Sequence, residues 1–187
     1  MNKERLAAFT DAIVAIAATI MVLELHVPKF STFASFWDER STFIAYIISF
    51  FLIYTVWYNH HNLFEKAKHI TPRIFLVNGF WLFIVTLIPF TTAWVGSDPN
   101  SFAPEFLYSF VLLLWSITFH LLDVQIIHDN PHAQPDESTR LVYRSVLYGL
   151  YIVSIILSFI KPVLAISLIG IGTVVLTIVT FTSAVKE

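Results

Sequence analysis

Cysteine is absent from the 187 residues of this chain, and glycine occurs only 5 times. Without cysteine the protein has no disulfides, no thiolate metal ligands and no cysteine nucleophile. The sequence also lacks glycine-rich phosphate loops, the G-x-S-x-G turn and the H-E-x-x-H metal motif, which are signatures of common enzymes. No T-V-G-Y-G segment is present to line an ion filter with backbone carbonyls. We therefore expect no enzyme activity and no resident cofactor.

Charged residues are also scarce. They make up 13% of the chain, whereas about a quarter is usual for a soluble domain. Hydrophobic residues make up 57%, with 18 Phe, 7 Tyr and 5 Trp, and the mean hydropathy is +0.74. Such a composition is typical of a protein that contacts the lipid bilayer and carries aromatic belts at its two surfaces. The formal net charge of −2 gives no reason to expect nucleic-acid binding.

Long apolar runs divide the chain into six candidate membrane spans, each close to the 20 residues that a bilayer requires. Their approximate bounds are 6–27, 43–60, 74–95, 106–122, 142–160 and 162–185. Pro28 closes the first span, which is too long for a cleaved signal sequence. Lys161 and Pro162 separate the last two spans, so we predict a tight hairpin there, with one long bent helix as the alternative. The sequence thus predicts an all-α polytopic membrane protein, a single domain over residues 1–187 with no soluble part.

The distribution of basic residues predicts the orientation of the chain. With six spans, eight Lys and Arg side chains fall on the side of the termini: Lys3, Arg5, Lys66, Lys68, Arg73, Arg140, Arg144 and Lys186. Three fall on the other side: Lys29, Arg40 and Lys161. The positive-inside rule then places both termini in the cytoplasm. The outer side carries Asp38, Glu39, Asp98 and Glu105, which predicts an acidic outer face.

The first span combines an apolar stripe with two carboxylates. At about 100° per residue, Ile16, Ile20, Leu23 and Val27 share one face, and Thr19 lies beside them. Asp11 lies near the inner end of this helix and Glu24 near its outer end. Ionisable groups at membrane depth usually face protein or water rather than lipid. An ordinary helix with its apolar face in the monomer core is the alternative.

Polar residues at the inner ends of the second and third spans could satisfy Asp11. The stretch WYNHHN places Trp57, His60 and His61 at the inner surface, and Asn78 and Trp81 lie one to two turns into the third span. A buried carboxylate needs hydrogen-bond donors, and His, Asn and Trp supply them. We predict a polar network that ties together Arg5, Phe9, Thr10, Asp11, His60, His61, Asn78 and Trp81. Interfacial snorkelling of these side chains is the alternative.

Two groups of histidines suggest zinc, although we predict no metal site. The first group, His61, Glu65 and His69, repeats at i+4 and could share one helix face, but it lies in a charged loop. The second is a looser cluster of His120, Asp123, His128 and His132. Neither contains a zinc motif.

The opening of the first helix resembles a known family. Arg5, Phe9, Thr10 and Asp11 in RLAAFTD resemble the R-x-x-x-F-S-D signature of the transmembrane-protein-175 family, with Thr10 where the family usually has Ser. The flanking LELHVP and the WYNHHN stretch are similar to the same family, and the layout of six spans matches over the whole chain. Members are potassium-permeable channels of lysosomes and of many prokaryotes.

This resemblance implies a homotetramer in the cell membrane with the first helices of four subunits around a central pore. Ile16, Ile20 and Leu23 would form the constriction, and Thr19 would match a hydroxyl position implicated in potassium preference. The signature residues would brace the helix rather than line the gate. A ring of isoleucines can gate by dewetting, and four Glu24 carboxylates at the outer vestibule would concentrate cations.

Other classes of protein remain open at this point. A proton-coupled secondary transporter could use Asp11, His60 or His61 as a relay, although its broken midplane helices are missing. An intramembrane zinc hydrolase could use His120 with the His60–His61 pair. A scaffold or assembly factor is the third alternative.

Overall fold

The computed structural model describes residues 2–133 and 141–184, and in this part of the chain the regular structure is entirely helical. The helices are α1 Lys3–Leu23, α2 Phe33–Asp38, α3 Arg40–Lys66, α4 Pro72–Val85, α5 Ile88–Ser97, α6 Phe102–Asp129, α7 Leu141–Ile160 and α8 Val163–Ala184. Side-chain caps open several of them. Asn2 accepts from the Arg5 amide at the start of α1, and Thr71 accepts from the Ile74 amide at the start of α4. These caps satisfy backbone N–H groups that have no partner in the first turn.

Among the described residues, five helical segments are long and apolar enough to cross a membrane: Lys3–Leu23, Arg40–Lys66, Pro72–Ser97, Phe102–Asp129 and Val163–Thr182. The segment Arg144–Ile160 of α7 is apolar but shorter. The chain is therefore an all-α polytopic membrane protein. Helices α7 and α8 are separate and pack against each other, as expected for a hairpin at Lys161–Pro162 rather than one bent helix.

Several predicted boundaries differ from the structure. Helix α1 ends at Leu23 rather than Val27, in a tightened turn where the Leu25 amide donates to the Val22 carbonyl oxygen, 3.3 Å away. Helix α6 continues to Asp129, well beyond the predicted end at Leu122. Its last turns stay helical because one side of them packs into the core, where Leu122 and Ile126 are fully buried. The short helix α2 had no counterpart among the predicted elements.

The third predicted span consists of two helices instead of one. Helix α4 ends at Val85 and α5 begins at Ile88. Pro89 explains the interruption, because proline lacks the N–H that a continuous helix would donate to residue 85 and its ring clashes with that carbonyl. The two helices still form one candidate span from Pro72 to Ser97.

The bundle packs around α6 and α3. Helix α6 contacts α4, α5, α7 and α8, while α3 contacts α1, α5 and α8. Helices α3 and α5 approach each other closely at Gly96, where an added Cβ atom would lie 2.8 Å from the Cα atom of Thr42. A glycine at this position lets two backbones approach closely, as small residues do in other membrane bundles.

A buried polar chain crosses the same region. The Thr92 hydroxyl donates to Ser49 Oγ at 2.8 Å, and Ser49 Oγ lies 2.8 Å from the Tyr108 hydroxyl oxygen. Glu105, one turn before Tyr108, is fully buried. The prediction that Glu105 contributes to an acidic outer face was therefore wrong, because Glu105 lies on the buried side of α6.

Arg144 is also buried, which changes the count of inner basic charges. Its Nη2 atom forms an ion pair with Asp123 Oδ2, and both side chains are more than nine-tenths buried. Buried charges in membrane proteins are usually paired in this way. Arg144 therefore joins α7 to α6 and is not a free charge at the inner surface.

Candidate pore helix and its polar brace

Helix α1 has two faces that differ in burial. Its inward face contributes residues at helical spacing to the core: Leu6, Thr10, Val14, Ala17 and Met21. This face packs against α3, α4 and α5. The periodicity arises because residues three and four apart lie on the same side of a helix. Most of the opposite face is exposed, with no partner among the described residues.

The predicted constriction residues lie on the exposed face. Ile16 is 57% exposed, Ile20 40% and Leu23 80%, so none of them belongs to the monomer core. Thr19 and Glu24 are also exposed. The alternative of an ordinary core helix does not describe this face. In a membrane protein such an apolar stripe contacts lipid, another subunit or an aqueous path.

The Thr19 hydroxyl has a defined orientation. It donates a hydrogen bond to the backbone carbonyl oxygen of Ile16, at 2.9 Å. Because a hydroxyl has one hydrogen and two lone pairs, this bond uses the hydrogen and leaves the oxygen free to accept. The free lone pairs lie on the exposed face, where they could coordinate a cation.

A chain of three buried side chains holds the inner end of α1. Asn78 Nδ2 donates to Thr10 Oγ1 at 2.9 Å, and Asn78 Oδ1 lies 2.9 Å from His60 Nε2. All three residues are at most 1% exposed. Since the Asn78 oxygen can only accept, His60 Nε2 donates the second bond. The chain Thr10–Asn78–His60 thus joins α1, α4 and α3, and we call it the polar brace.

Asp11 has a different partner from those in the polar brace. The Trp57 indole Nε1 donates to Asp11 Oδ1 at 2.9 Å. Trp57 belongs to the WYNHHN stretch, so its depth follows from the sequence, but the predicted polar network does not include it. The pairing depends on the rotation of α3 about its axis, which the sequence pattern alone did not determine.

Asp11 and Trp57 also line a cavity between α1 and α3 of about 320 Å³. The other lining residues are apolar or aromatic and include Val14, Ala15 and Tyr54. The carboxylate is therefore partly buried at the edge of an apolar cavity, and the indole is its hydrogen-bond donor.

Trp81 contributes through stacking. Its ring lies 4.5 Å from the His60 ring and 6.1 Å from the Trp115 ring, and His60 in turn stacks on Phe64 at 4.3 Å. Trp81 Nε1 has no hydrogen-bond partner in the described part of the chain. The aromatic column fixes the plane of the His60 ring, which in turn aims its Nε2 atom at Asn78.

The remaining predicted network residues lie outside this buried set. Arg5 is exposed, and Phe9 is exposed as well. His61 lies 3.5 Å from Glu65, one turn along α3, and both side chains are largely exposed. The structure therefore brings Thr10, His60, Asn78 and Trp81 together, pairs Asp11 with Trp57, and leaves Arg5, Phe9 and His61 at the surface.

The histidine groups do not converge on a metal site. Helix α3 ends at Lys66, so His69 does not share a helix face with His61 and Glu65. His120 Nδ1 lies 2.8 Å from the Tyr148 hydroxyl, and His128 pairs with Asp129. Within residues 2–133 and 141–184, no group of three or more His, Asp or Glu side chains could hold a metal ion.

Fold and site together define a class: a helical membrane protein whose first helix is fastened on one face and apolar but unpacked on the other. The sequence profile described as "Endosomal/lysosomal potassium channel TMEM175" matches residues 5–89. A potassium channel of Chryseobacterium sp. (strain P1-3) is 35% identical over 170 residues, which cover 89% of this chain and 88% of that protein. The chain belongs to the TMEM175 family, a family of channels and not of enzymes.

A solved structure is similar along nearly the whole chain. The crystal structure of a lysosomal potassium-selective channel TMEM175 homologue from Chamaesiphon minutus superposes with a TM-score of 0.83. The two chains are 27% identical, and the superposition covers 95% of this chain and 97% of the other. An endosomal/lysosomal proton channel TMEM175 from Bos taurus is 33% identical over 101 residues, but these cover only 21% of the bovine protein.

Proposed function

We propose that this chain is a potassium-permeable channel whose pore is formed by α1 helices from several copies. The single observation that carries this proposal is the exposed stripe of Ile16, Ile20 and Leu23 opposite the braced face of α1. The names of the Chryseobacterium and Chamaesiphon relatives, which are potassium channels, support the choice of ion. Within the described part of the chain this stripe is exposed and not enclosed, so we infer that the path forms between subunits.

The assembly is a homotetramer, which we infer from the family resemblance. Four isoleucine side chains at one level form a hydrophobic ring that blocks ions when it is dry and conducts after modest widening. Ile16, Ile20 and Leu23 occupy successive levels along α1, so the gate extends over two turns.

In this arrangement Thr19 contributes to the preference for K⁺, and Glu24 raises the cation concentration at the outer mouth. The Thr19 oxygen keeps its lone pairs free after donating to the Ile16 carbonyl oxygen, so four such oxygens contact a partly hydrated K⁺. The resulting selectivity is modest because hydroxyls and retained water discriminate weakly between ions. Glu24 is exposed one residue beyond α1, where four carboxylates attract cations to the outer mouth.

The proposed topology has six transmembrane helices, with α7 as the fifth, and both termini in the cytoplasm of a prokaryotic cell. The chain is one channel domain over residues 1–187. After Arg144 is assigned to its buried ion pair, seven of the eight basic residues remain on the inner side against three outside, so the positive-inside argument retains its sign.

The proton-coupled transporter is the weaker alternative. A relay would join Asp11 to the histidines, yet Asp11 bonds Trp57 and His60 bonds Asn78. Among the described residues no hydrogen bond links Asp11 to either His60 or His61. No specific contact therefore favours a relay.

The decisive experiment is potassium flux into liposomes that contain the purified protein. We expect Ile16→Asn and Leu23→Asn to increase flux severalfold, because a polar side chain keeps the constriction wet. Ile178→Asn in α8 is the matched control, since Ile178 is also 57% exposed but lies far from α1 in the sequence. Wild-type flux in both α1 variants would refute the pore assignment, and concentrative solute uptake without ion current would support the transporter.

A further inference from the structure

The connection between α1 and α3 carries a group of exposed aromatic rings on and beside the short helix α2. Phe33 is 94% exposed, Trp37 65% and Phe30 71%, and Phe36 is also exposed. We call Phe30, Phe33, Phe36 and Trp37 the aromatic patch. Rings with this much exposure in a loop need a partner, because large apolar patches in contact with water are unfavourable.

Helix α2 holds three of these rings on one side. Thr32 caps the helix by accepting from the Ser35 amide. Positions 33, 36 and 37 fall within an arc of about 100° on a helix, and Ser35, on the opposite side, is buried. The Phe30 amide donates to Ser35 Oγ at 3.3 Å. Helix α2 therefore rests on the protein through Ser35, and Phe33 and Trp37 are the most exposed of its three rings.

The position of α2 in the chain limits what the aromatic patch can meet. Only residues 24–39 separate the end of α1 from the start of α3, and both helices are candidate membrane spans. The Phe36 ring lies 4.7 Å from the ring of Phe43 in the first turn of α3. The patch is thus continuous with the end of a membrane-spanning helix and stays at the level of the bilayer surface.

The composition of the α1–α3 connection is typical of segments that lie in the headgroup region of a bilayer. Aromatic rings, and tryptophan in particular, favour the headgroup region, where an apolar body and a polar edge are both satisfied. Lys29 and Arg40 flank the patch and are exposed, so they can reach lipid phosphates. Arg40 Nη1 also donates to the Trp37 carbonyl oxygen at 3.0 Å, which holds the cation beside the aromatic patch.

We propose that the aromatic patch inserts into the headgroup region of the bilayer and anchors the α1–α3 connection to phospholipid. The partner is the lipid surface, with the rings among the headgroups and acyl-chain ends and the two cations at the phosphates. This anchor sets the depth of the end of α1, including Leu23. The inference rests on the membrane spans alone and does not require the proposed channel activity.

The absence of cysteine makes the test direct, because one introduced cysteine is then the sole labelling site. Phe33→Cys and Trp37→Cys place a bimane fluorophore on the aromatic side of α2. Asp38→Cys is the matched control, since Asp38 is exposed in the same helix but points well away from Phe33 and Phe36. Each labelled protein is reconstituted in phosphatidylcholine–phosphatidylglycerol liposomes with and without brominated acyl chains.

We expect brominated lipid to lower the fluorescence at positions 33 and 37 by about twofold or more, as for groups in the aromatic belt, with little loss at position 38. Aqueous iodide should quench the three positions in the reverse order. Strong iodide quenching at position 33 without quenching by brominated lipid would overturn the proposal. Protection of position 33 from both quenchers would also overturn it, because a protein surface such as a second copy would then cover the patch.

Discussion

Asn78 donates a hydrogen bond from Nδ2 to the Thr10 hydroxyl oxygen, 2.9 Å away, and thereby ties α4 to the first helix at a fully buried point. The same amide group accepts from His60 through its oxygen. A primary amide suits this position because it donates on one side and accepts on the other. Thr10, where the family usually has serine, keeps the hydroxyl that the bond requires.

We predict that Asn78→Leu lowers protein stability by about 1–3 kcal/mol, because it leaves the buried Thr10 and His60 groups without their partner. Thr10→Ser should stay near wild type, since it keeps the hydroxyl, whereas Thr10→Val should lose stability. Thermal unfolding in detergent measures these differences. An Asn78→Leu protein that melts at the wild-type temperature would show that the polar brace contributes no stability.

We predict that Asp11→Ala impairs folding or assembly and leaves ion preference unchanged in the protein that does assemble. The substitution removes the acceptor of the Trp57 indole N–H at the wall of the α1–α3 cavity. Trp57→Phe should reproduce part of the defect, because a hydrogen bond to a charged group contributes about 1.5–3 kcal/mol. Size-exclusion chromatography and reversal potentials separate the two effects. A stable assembly with altered selectivity would place Asp11 in the ion path.

We predict that Thr19→Val lowers the preference for K⁺ over Na⁺ without lowering thermal stability. Valine keeps the branched shape and loses only the hydroxyl, which bonds within α1 and, across residues 2–133 and 141–184, to no other helix. Thr182→Val is the matched control, because the exposed Thr182 hydroxyl also donates to backbone carbonyl oxygens of its own helix, those of Ile178 and Val179. Bi-ionic reversal potentials measure the preference. An unchanged potential in Thr19→Val would exclude the hydroxyl from selectivity.

We predict opposite effects for two Gly→Ala substitutions. Gly96→Ala should destabilise the bundle, since the new methyl group would lie 2.8 Å from the Thr42 backbone and force α3 and α5 apart. Gly79→Ala meets no atom within 4 Å, and alanine favours a helix by about 1 kcal/mol over glycine. Melting temperatures should therefore fall for Gly96→Ala and hold or rise for Gly79→Ala. Equal shifts would contradict the close approach at Gly96.

Much of the candidate site was readable before the structure. The common depth of Thr10, His60 and Asn78 follows from span boundaries, and the stripe of Ile16, Ile20 and Leu23 follows from helical periodicity. Pro89 could also have indicated the break between α4 and α5, because a proline within an apolar run interrupts a helix. The prediction of one continuous span followed the length of the apolar run instead. In contrast, the sequence did not show which side chain donates a hydrogen bond to Asp11, because several possible donors lie at the same depth.

Burial of charge was the least predictable property. Glu105 and Arg144 read as surface charges near the ends of their spans, yet both lie inside the bundle. A charge near a span end can snorkel outward or turn inward, and neighbouring helices decide between these. For Arg144 the deciding neighbour is Asp123 of α6, 21 residues away in the sequence.

The sequence by itself determined that this chain is a helical membrane protein. It also determined that the first helix has a polar start followed by an apolar stripe. Those properties depend on composition and local periodicity, because transfer into lipid and backbone hydrogen bonding act on each segment separately. The tertiary structure decided which face of α1 is buried. It also decided that Trp57 donates a hydrogen bond to Asp11 and that Asn78 bridges Thr10 and His60. Such pairings depend on the rotation and register of packed helices, which are set by the side chains of several segments at once.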